Sequence, residues 1–420
     1  MVWLCACTCG TPGAPDVAPL DLVPRDSSVD RGVDRGVDLP PQLDAAPLVD
    51  LPARDFPPLP PCGGSRTLKP TPITPYAGKA CGAHCKQITF GKWVEIDYDV
   101  RGDLLVYPSL TNGYHLHLLR LDTLKEVRLR EYTRPARTCT TAGTDGTHVV
   151  YSCLLYSEPV TGGHPTMRLA VSTVDLTTWQ ETDLYCRDVP QAQKPCRAGR
   201  MGLLGETIGL SWNPGVCKNV VYTLPLAGGT LSQVSSMNAS WLSMEGQAMV
   251  WSGAPSGKVQ VVLHMLGSGT APKAIRPNSL AQFQPRTDGK QVVWIEGADC
   301  LGPVQKDVFH YDIATKKVTQ ITNSSSAEFL PDVDGDWIVW EDWRNTPGGD
   351  PAINKANSDI YAYNIKTKKE YQLTNLPARE LTPRIDNGRV FFQMLDDKGA
   401  ENMFMIDLAA FLAARSKGHP

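Results

Sequence analysis

The chain has 420 residues, 42% of them hydrophobic, and a formal net charge of −3. This is enough apolar material for a packed core, while the absence of a basic run to track phosphates argues against nucleic acid as a partner. With 36 Gly and 34 Pro, and no sustained helical amphipathicity before the last dozen residues, the composition suits many short strands joined by frequent turns.

The first ten residues, MVWLCACTCG, are too short for a complete secretory leader. Leu4-Cys5-Ala6-Cys7 nevertheless resembles a bacterial lipobox, which makes Cys7 the candidate for lipidation, with Cys5 and Cys9 as alternatives. The other reading is a cysteine-rich stretch with no targeting role. Residues 11–61 then hold twelve Pro and nine Asp, no Lys or Glu, and one aromatic, Phe56. Such a segment buries too little apolar surface to offset its ordering entropy, so it is expected to be a disordered tether. Residues 62–85, with Cys62, Cys81 and Cys85, form a transition with no assignment from sequence.

A repeat organises the remainder, 86–413, ahead of a short tail at 414–420. The segments QITFGKWVEIDYDVRGDLLVY (Gln87 to Tyr107) and QITNSSSAEFLPDVDGDWIVW (Gln320 to Trp340) align without a gap. Their turn glycine recurs at Gly102, Gly146, Gly205, Gly246, Gly289, Gly335 and Gly388. Five residues after each stands Tyr107, Tyr151, Leu210, Trp251, Trp294, Trp340 or Gln393. Intervals of this length fit four-stranded blades, and Gly supplies the positive φ of a tight hairpin. The expected fold is all-β: a seven-bladed β-propeller of four-stranded antiparallel blades. Third strands end on a polar turn residue, Asp122, Asp312, Asn364 or Asp407, yet no outer strand follows Asp407. Lys86 to Thr89 can supply it, so an N-terminal strand is expected to complete the last blade and close the ring. That removes two exposed sheet edges.

The run from Pro331 through the Asp-Gly turn, the loop Glu341-Asp342-Trp343-Arg344-Asn345 and the segment DIYAYNIKTKKEYQLT (Asp359 to Thr374) resembles the TolB-type propeller repeat. It is similar as well to repeats of prokaryotic cell-surface propellers. The resemblance is sharpest over 275–376. It implies a repeat architecture and an envelope setting; the six blades and separate α/β domain of TolB do not match.

Connections between second and third strands vary most in length, and variation on one face of a rigid scaffold marks recognition. The longest, Glu341 to Ser358, carries Glu341, Asp342, Trp343, Arg344 and Asn345 as candidate binding residues for a protein or sugar. The competing reading packs Trp343 and Arg344 onto the blade. Asp332, Asp334 and Asp336 resemble a shortened calcium loop but lie on the recurring hairpin turn, where Asp-Gly is ordinary turn chemistry. His115 and His117 lack a third zinc ligand, and His117 falls at a polar strand-entry position. No metal or cofactor is expected. There is neither a G-x-S-x-G elbow nor an H-E-x-x-H motif.

Twelve scattered cysteines read as disulfides in an oxidising compartment, or as inert buried thiols. Cys139 and Cys153 flank Gly146 symmetrically and are expected to pair across its hairpin. Cys186 and Cys196 bracket a long junction and could staple it. The expected function is an extracytoplasmic binding module, in the periplasm or at the cell surface. It would be a monomer with a possible lipid anchor to the outer membrane, presenting a loop face to an envelope protein or polysaccharide. The alternative is a carbohydrate-active lyase or hydrolase with its site at the channel mouth.

Overall fold

The computed structural model describes residues 64–73, 81, 84–89, 94–95, 98–110, 113–133, 137–156, 167–189, 201–212, 220–255, 257–298, 305–346, 357–395 and 401–416. The expected leader with Cys7, the tether, and Cys196, Cys217 and Cys300 lie outside the described residues. Seven antiparallel sheets follow one another around a ring, and the fold is a seven-bladed β-propeller. Blade six shows the plan. Glu328–Asp334 runs innermost, followed outward by Trp337–Asp342, Asp359–Asn364 and Lys369–Gln372.

The turn glycines do what their spacing predicts. All seven have positive φ, from 50° at Gly205 to 95° at Gly146, joining first to second strand. The aromatic positions that follow are the cores of the blades. Tyr107, Trp251, Trp294 and Trp340 have no exposed surface and Tyr151 has 1%. Burying each such side chain contributes about 1.5–3 kcal/mol. Apolar faces of neighbouring blades meet between them, as where Val339 and Ile360 of blade six pack with Phe392 and Phe404 of blade seven.

Of the expected third-strand turn residues, Asp122 bonds Arg120 and the Thr123 hydroxyl. Asp312 and Asn364 each accept a backbone N–H from Thr315 or Thr367, as Asp175 of blade two does from Thr177, which nucleates the turn into the outer strand. Asp407 makes the same kind of bond to Ala410 N, 2.9 Å. There it caps the helix Leu408–Ser416 instead of opening a strand. The vacated outer position of blade seven is filled by Cys85–Gln87, antiparallel to Glu401–Asp407 with Gln87 opposite Phe404. Ile88 and Thr89 extend the closure through bonds to Met403. A Cys81–Cys85 disulfide ties the first residue of this strand to Cys81, which packs into the core of blades six and seven.

The unassigned segment preceding the closure also pairs with the ring. Ser65–Thr67 adds to the outer strand of blade two, with Ser65 opposite Thr182. Thr71–Pro72 adds to the outer strand of blade one. Arg66 pairs with the fully buried Glu181 and lies 3.6 Å from Asp183. Residues 65–67, 71–72 and 85–87 thus pair with blades two, one and seven in turn, as a strap. The strap covers outer edges of blades one and two that would otherwise be open to another strand.

Candidate functional site: the channel and the loop face

The innermost strands of all seven blades line a central cavity of about 60 Å³. Its wall carries Arg101, Arg286 and Arg384 with Asp99, Glu245, Asp332, Asp334 and Asp386. Most of these groups are tied to the frame. Asp99 accepts Thr144 N of the next blade at 2.9 Å, and burial raises its carboxyl above the usual range. Asp332 accepts Ile385 N at 3.0 Å and Asp334 accepts Asn387 N at 2.6 Å, both from blade six to blade seven. Asp336 pairs with Lys366, so the calcium-like trio is engaged in turn and inter-blade bonds. Arg101 of blade one ion-pairs with Glu245 of blade four. Those blades stand as far apart as a seven-membered ring allows, so the pair bridges the channel. Both residues adjoin their turn glycines, and the bridge therefore sits at the turn end.

The opposite end carries the connections from second to third strands. These run from the two residues 111–112 in blade one to 343–358 in blade six. Sequence reading left two roles open for the start of the longest. The geometry gives Trp343 an internal one: it is 1% exposed and packs with Leu381 and Phe329. Its Nε1 donates to Glu341 Oε1 at 2.8 Å. Glu341 also accepts Thr382 N at 3.3 Å, and burial raises its carboxyl to about 7. Arg344 makes a bidentate pair with the fully buried Asp342, extends to Glu370 at 2.7 Å, and stacks on Tyr361. Asn345 is exposed and donates to Asp359 at 2.6 Å. Of the five candidate residues, only Arg344 and Asn345 reach solvent; Glu341, Asp342 and Trp343 anchor the loop.

Beneath this face lies a repeated chain of buried polar groups. In blade six, Trp340 Nε1 donates to Asp342 at 2.8 Å, and Thr374 bonds both Ile360 N and Glu380. Blade five repeats the motif with Trp294, Glu296, Thr322, Val308 N and Glu328. Burial drives Glu328 up to about 8 and Glu380 up to about 9, so both are protonated at neutral pH. Asp359 Oδ1 and Glu380 Oε1 find no other partner among the described residues, and a proton shared between the two carboxyls satisfies both.

In blade one, Tyr107 and Ser109 take the places of Trp340 and Asp342, but the chain continues through other positions with different chemistry, which no linear motif announced. Ser109 Oγ lies 2.8 Å from His117 Nε2, and His117 Nδ1 lies 2.9 Å from Glu126, which also accepts from Tyr107. Burial lowers the His117 pKa and keeps the ring neutral. Nδ1–H therefore donates to the carboxylate and Nε2 accepts from the hydroxyl. The order matches a Ser-His-acid triad. However, Ser109 and His117 have no exposed surface, so a substrate carbonyl cannot reach the hydroxyl. The chain fastens adjacent strands. Among the described residues no three His, Cys, Asp or Glu converge as metal ligands.

Cys153 is disulfide-bonded, and the residue opposite it across the bulged ladder is Cys139, whose side chain lies outside the described residues. Cys186 is half-buried opposite Ala170; its expected partner Cys196 lies outside the described residues.

No protein-family model matches this sequence. No curated protein matches it either. Among solved structures, the chain is similar to the propeller domain of the trilobed protease from Pyrococcus furiosus, at 9% identity and a TM-score of 0.53, over 75% of this chain and 95% of that one. That domain is described as having an open velcro topology, whereas the present ring is closed by Cys85–Gln87. Pyrococcus horikoshii acylaminoacyl peptidase aligns at 9% identity and a TM-score of 0.52, over 75% of this chain and 51% of the peptidase. TolB from Acinetobacter baumannii aligns at 13% identity and a TM-score of 0.41, over 73% of this chain. This chain spans 65% of that TolB's length. What is shared is the propeller fold.

Proposed function

We propose that the protein is an extracytoplasmic binding module whose loop face engages an envelope protein or a polysaccharide. The observation that carries this reading is the contrast between the ends of the channel: one is bridged by Arg101 and Glu245, while the other bears connections of widely different length. The Cys81–Cys85 disulfide and the disulfide-bonded Cys153 support an oxidising compartment. No helix among the described residues is long and apolar enough to cross a membrane. Any membrane attachment in this reading comes from a lipid on Cys7 at the end of the tether.

A second reading, a carbohydrate-active lyase or hydrolase working at the channel mouth, draws on the arginines and carboxylates of the wall. One experiment separates the two. Purified chain is applied to immobilised cell-envelope protein and polysaccharide fractions, with variants Arg344→Ala and Arg384→Ala alongside. The binding reading expects capture that weakens in Arg344→Ala and no change in polysaccharide chain length. Depolymerisation lost in Arg384→Ala would establish the enzyme instead.

A further inference from the structure

On the turn side of the ring, away from the loop face, a cleft of about 380 Å³ lies between blades two and three. That volume is within the range of roughly 300–1,000 Å³ typical of small-molecule sites. The strand periodicity of blade two builds one wall. Thr173 and Asp175 are two apart in Met167–Asp175 and share a face, and Thr182 and Gln180 stand opposite them in the next strand. His148 stands opposite Asp175 on the other side. The facing wall is aliphatic: Leu184 with Leu226 and Ala227 from the third-to-fourth-strand turn of blade three.

One hydroxyl of this wall has unspent bonding capacity, and a carboxylate stands beside it. Thr173 is 7% exposed, and its hydroxyl has no hydrogen-bond partner among the described residues. A buried hydroxyl left unpaired costs about 1–3 kcal/mol. Asp175 Oδ1 accepts Thr177 N and Thr178 N at 2.7 and 3.2 Å, and the Thr178 side chain also bonds this carboxyl. Those N–H groups, Thr177 first, hold its carboxyl below the usual range, so it stays an anionic acceptor. His148, whose Nδ1 is 3.0 Å from Thr147 Oγ1 and 3.5 Å from Asp145, also lines the cleft. One wall thus offers hydroxyl, carboxylate and imidazole groups, its Gln180 amide being held by Ser65 and Thr67, and the other offers C–H surface. Among the described residues no Phe, Tyr or Trp ring and no Lys or Arg lines the cleft, which disfavours nucleobases and phosphates.

We propose that this cleft binds a single neutral sugar ring, with the sugar hydroxyls on Thr173 and Asp175 and its C–H face on Leu226 and Ala227. The site is separate from the loop face and does not depend on it. Gln180 also donates to Thr67 of the strap at 2.6 Å, so a bound sugar sits beside the point where the N-terminal segment joins the ring.

Ligand-observed saturation-transfer NMR on the full chain tests this, using the methyl glycosides of glucose, galactose, mannose and N-acetylglucosamine at millimolar concentration. The wild type is expected to transfer saturation to at least one glycoside. Thr173→Val keeps the side-chain shape, and Asp175→Asn keeps the turn-capping oxygen; each should bind about tenfold more weakly. Ala227→Trp should abolish binding by filling the cleft. Lys366→Ala, on blade six, should match wild type. Absence of transfer to all four glycosides, or transfer that Thr173→Val, Asp175→Asn and Ala227→Trp leave unchanged, would overturn the site.

Discussion

The two ends of the propeller channel are built to opposite specifications. At the turn end, short hairpins of several blades are laced to one another. Gly335 N donates to Asp288 at 3.2 Å, Arg389 reaches Asp103 at 2.8 Å, and Arg101 meets Glu245 across the middle. At the loop end, connections differ in length, and the bonding lies deeper, in carboxyls beneath the surface. The difference teaches that sequence variation is accepted only where the frame underneath is closed by its own side chains. Trp343 belongs to that frame although it lies in a loop.

The largest effect should come from the loop anchor. Trp343→Ala removes a buried indole and the donor to Glu341, and should cost about 3–5 kcal/mol in chemical denaturation. A loss below about 1 kcal/mol would return Trp343 to the surface. Next is the turn end, where two glycines with positive φ differ in surroundings. A Cβ on Gly289 would stand 2.9 Å from the backbone of Glu245 and Gly246, while one on Gly335 meets nothing within 4 Å. Gly289→Ala should therefore cost about 3 kcal/mol, combining left-handed strain with overpacking, and Gly335→Ala about 1–2. Equal melting shifts for the two would show that the turns are not laced.

The carboxyls give a pH signature. Glu380 is raised from its ordinary 4.5 to about 9, so the folded state holds a proton that the unfolded state releases. Its contribution is complete below the unfolded pKa and is lost as pH rises through the folded one. Unfolding free energy should fall between those values, with a shallower slope in Glu380→Gln. An unchanged slope would mean that the pair with Asp359 is not protonated. Smaller still, Arg101→Ala should cost about 0.2–1 kcal/mol, because the bridge is one-third exposed and screened.

The propeller was legible because its turns repeat. Gly at a fixed offset from a buried aromatic is a local requirement, and Asp407 without a following strand pointed to closure from the N-terminus. The strap was not legible, since Ser65–Thr67 and Thr71–Pro72 are too short to show a period and acquire structure from the edges they cover. Neither was the bridge between Arg101 and Glu245, which ring topology alone brings together. The order Ser109-His117-Glu126 escaped notice because its members lie on three strands. The resting place of Trp343 was left open because a Trp beside an Arg reads equally well as a contact or an anchor.

The most direct test of the account replaces residues 347–356 by a short Gly-Ser linker, leaving Trp343 and Arg344 in place. Capture on the envelope fractions and stability are then measured together. The account predicts stability within about 1 kcal/mol of wild type, since loop length changes closure entropy only slowly, with capture lost. Full capture by the shortened chain, or capture lost instead in Arg101→Ala at the turn end, would contradict it.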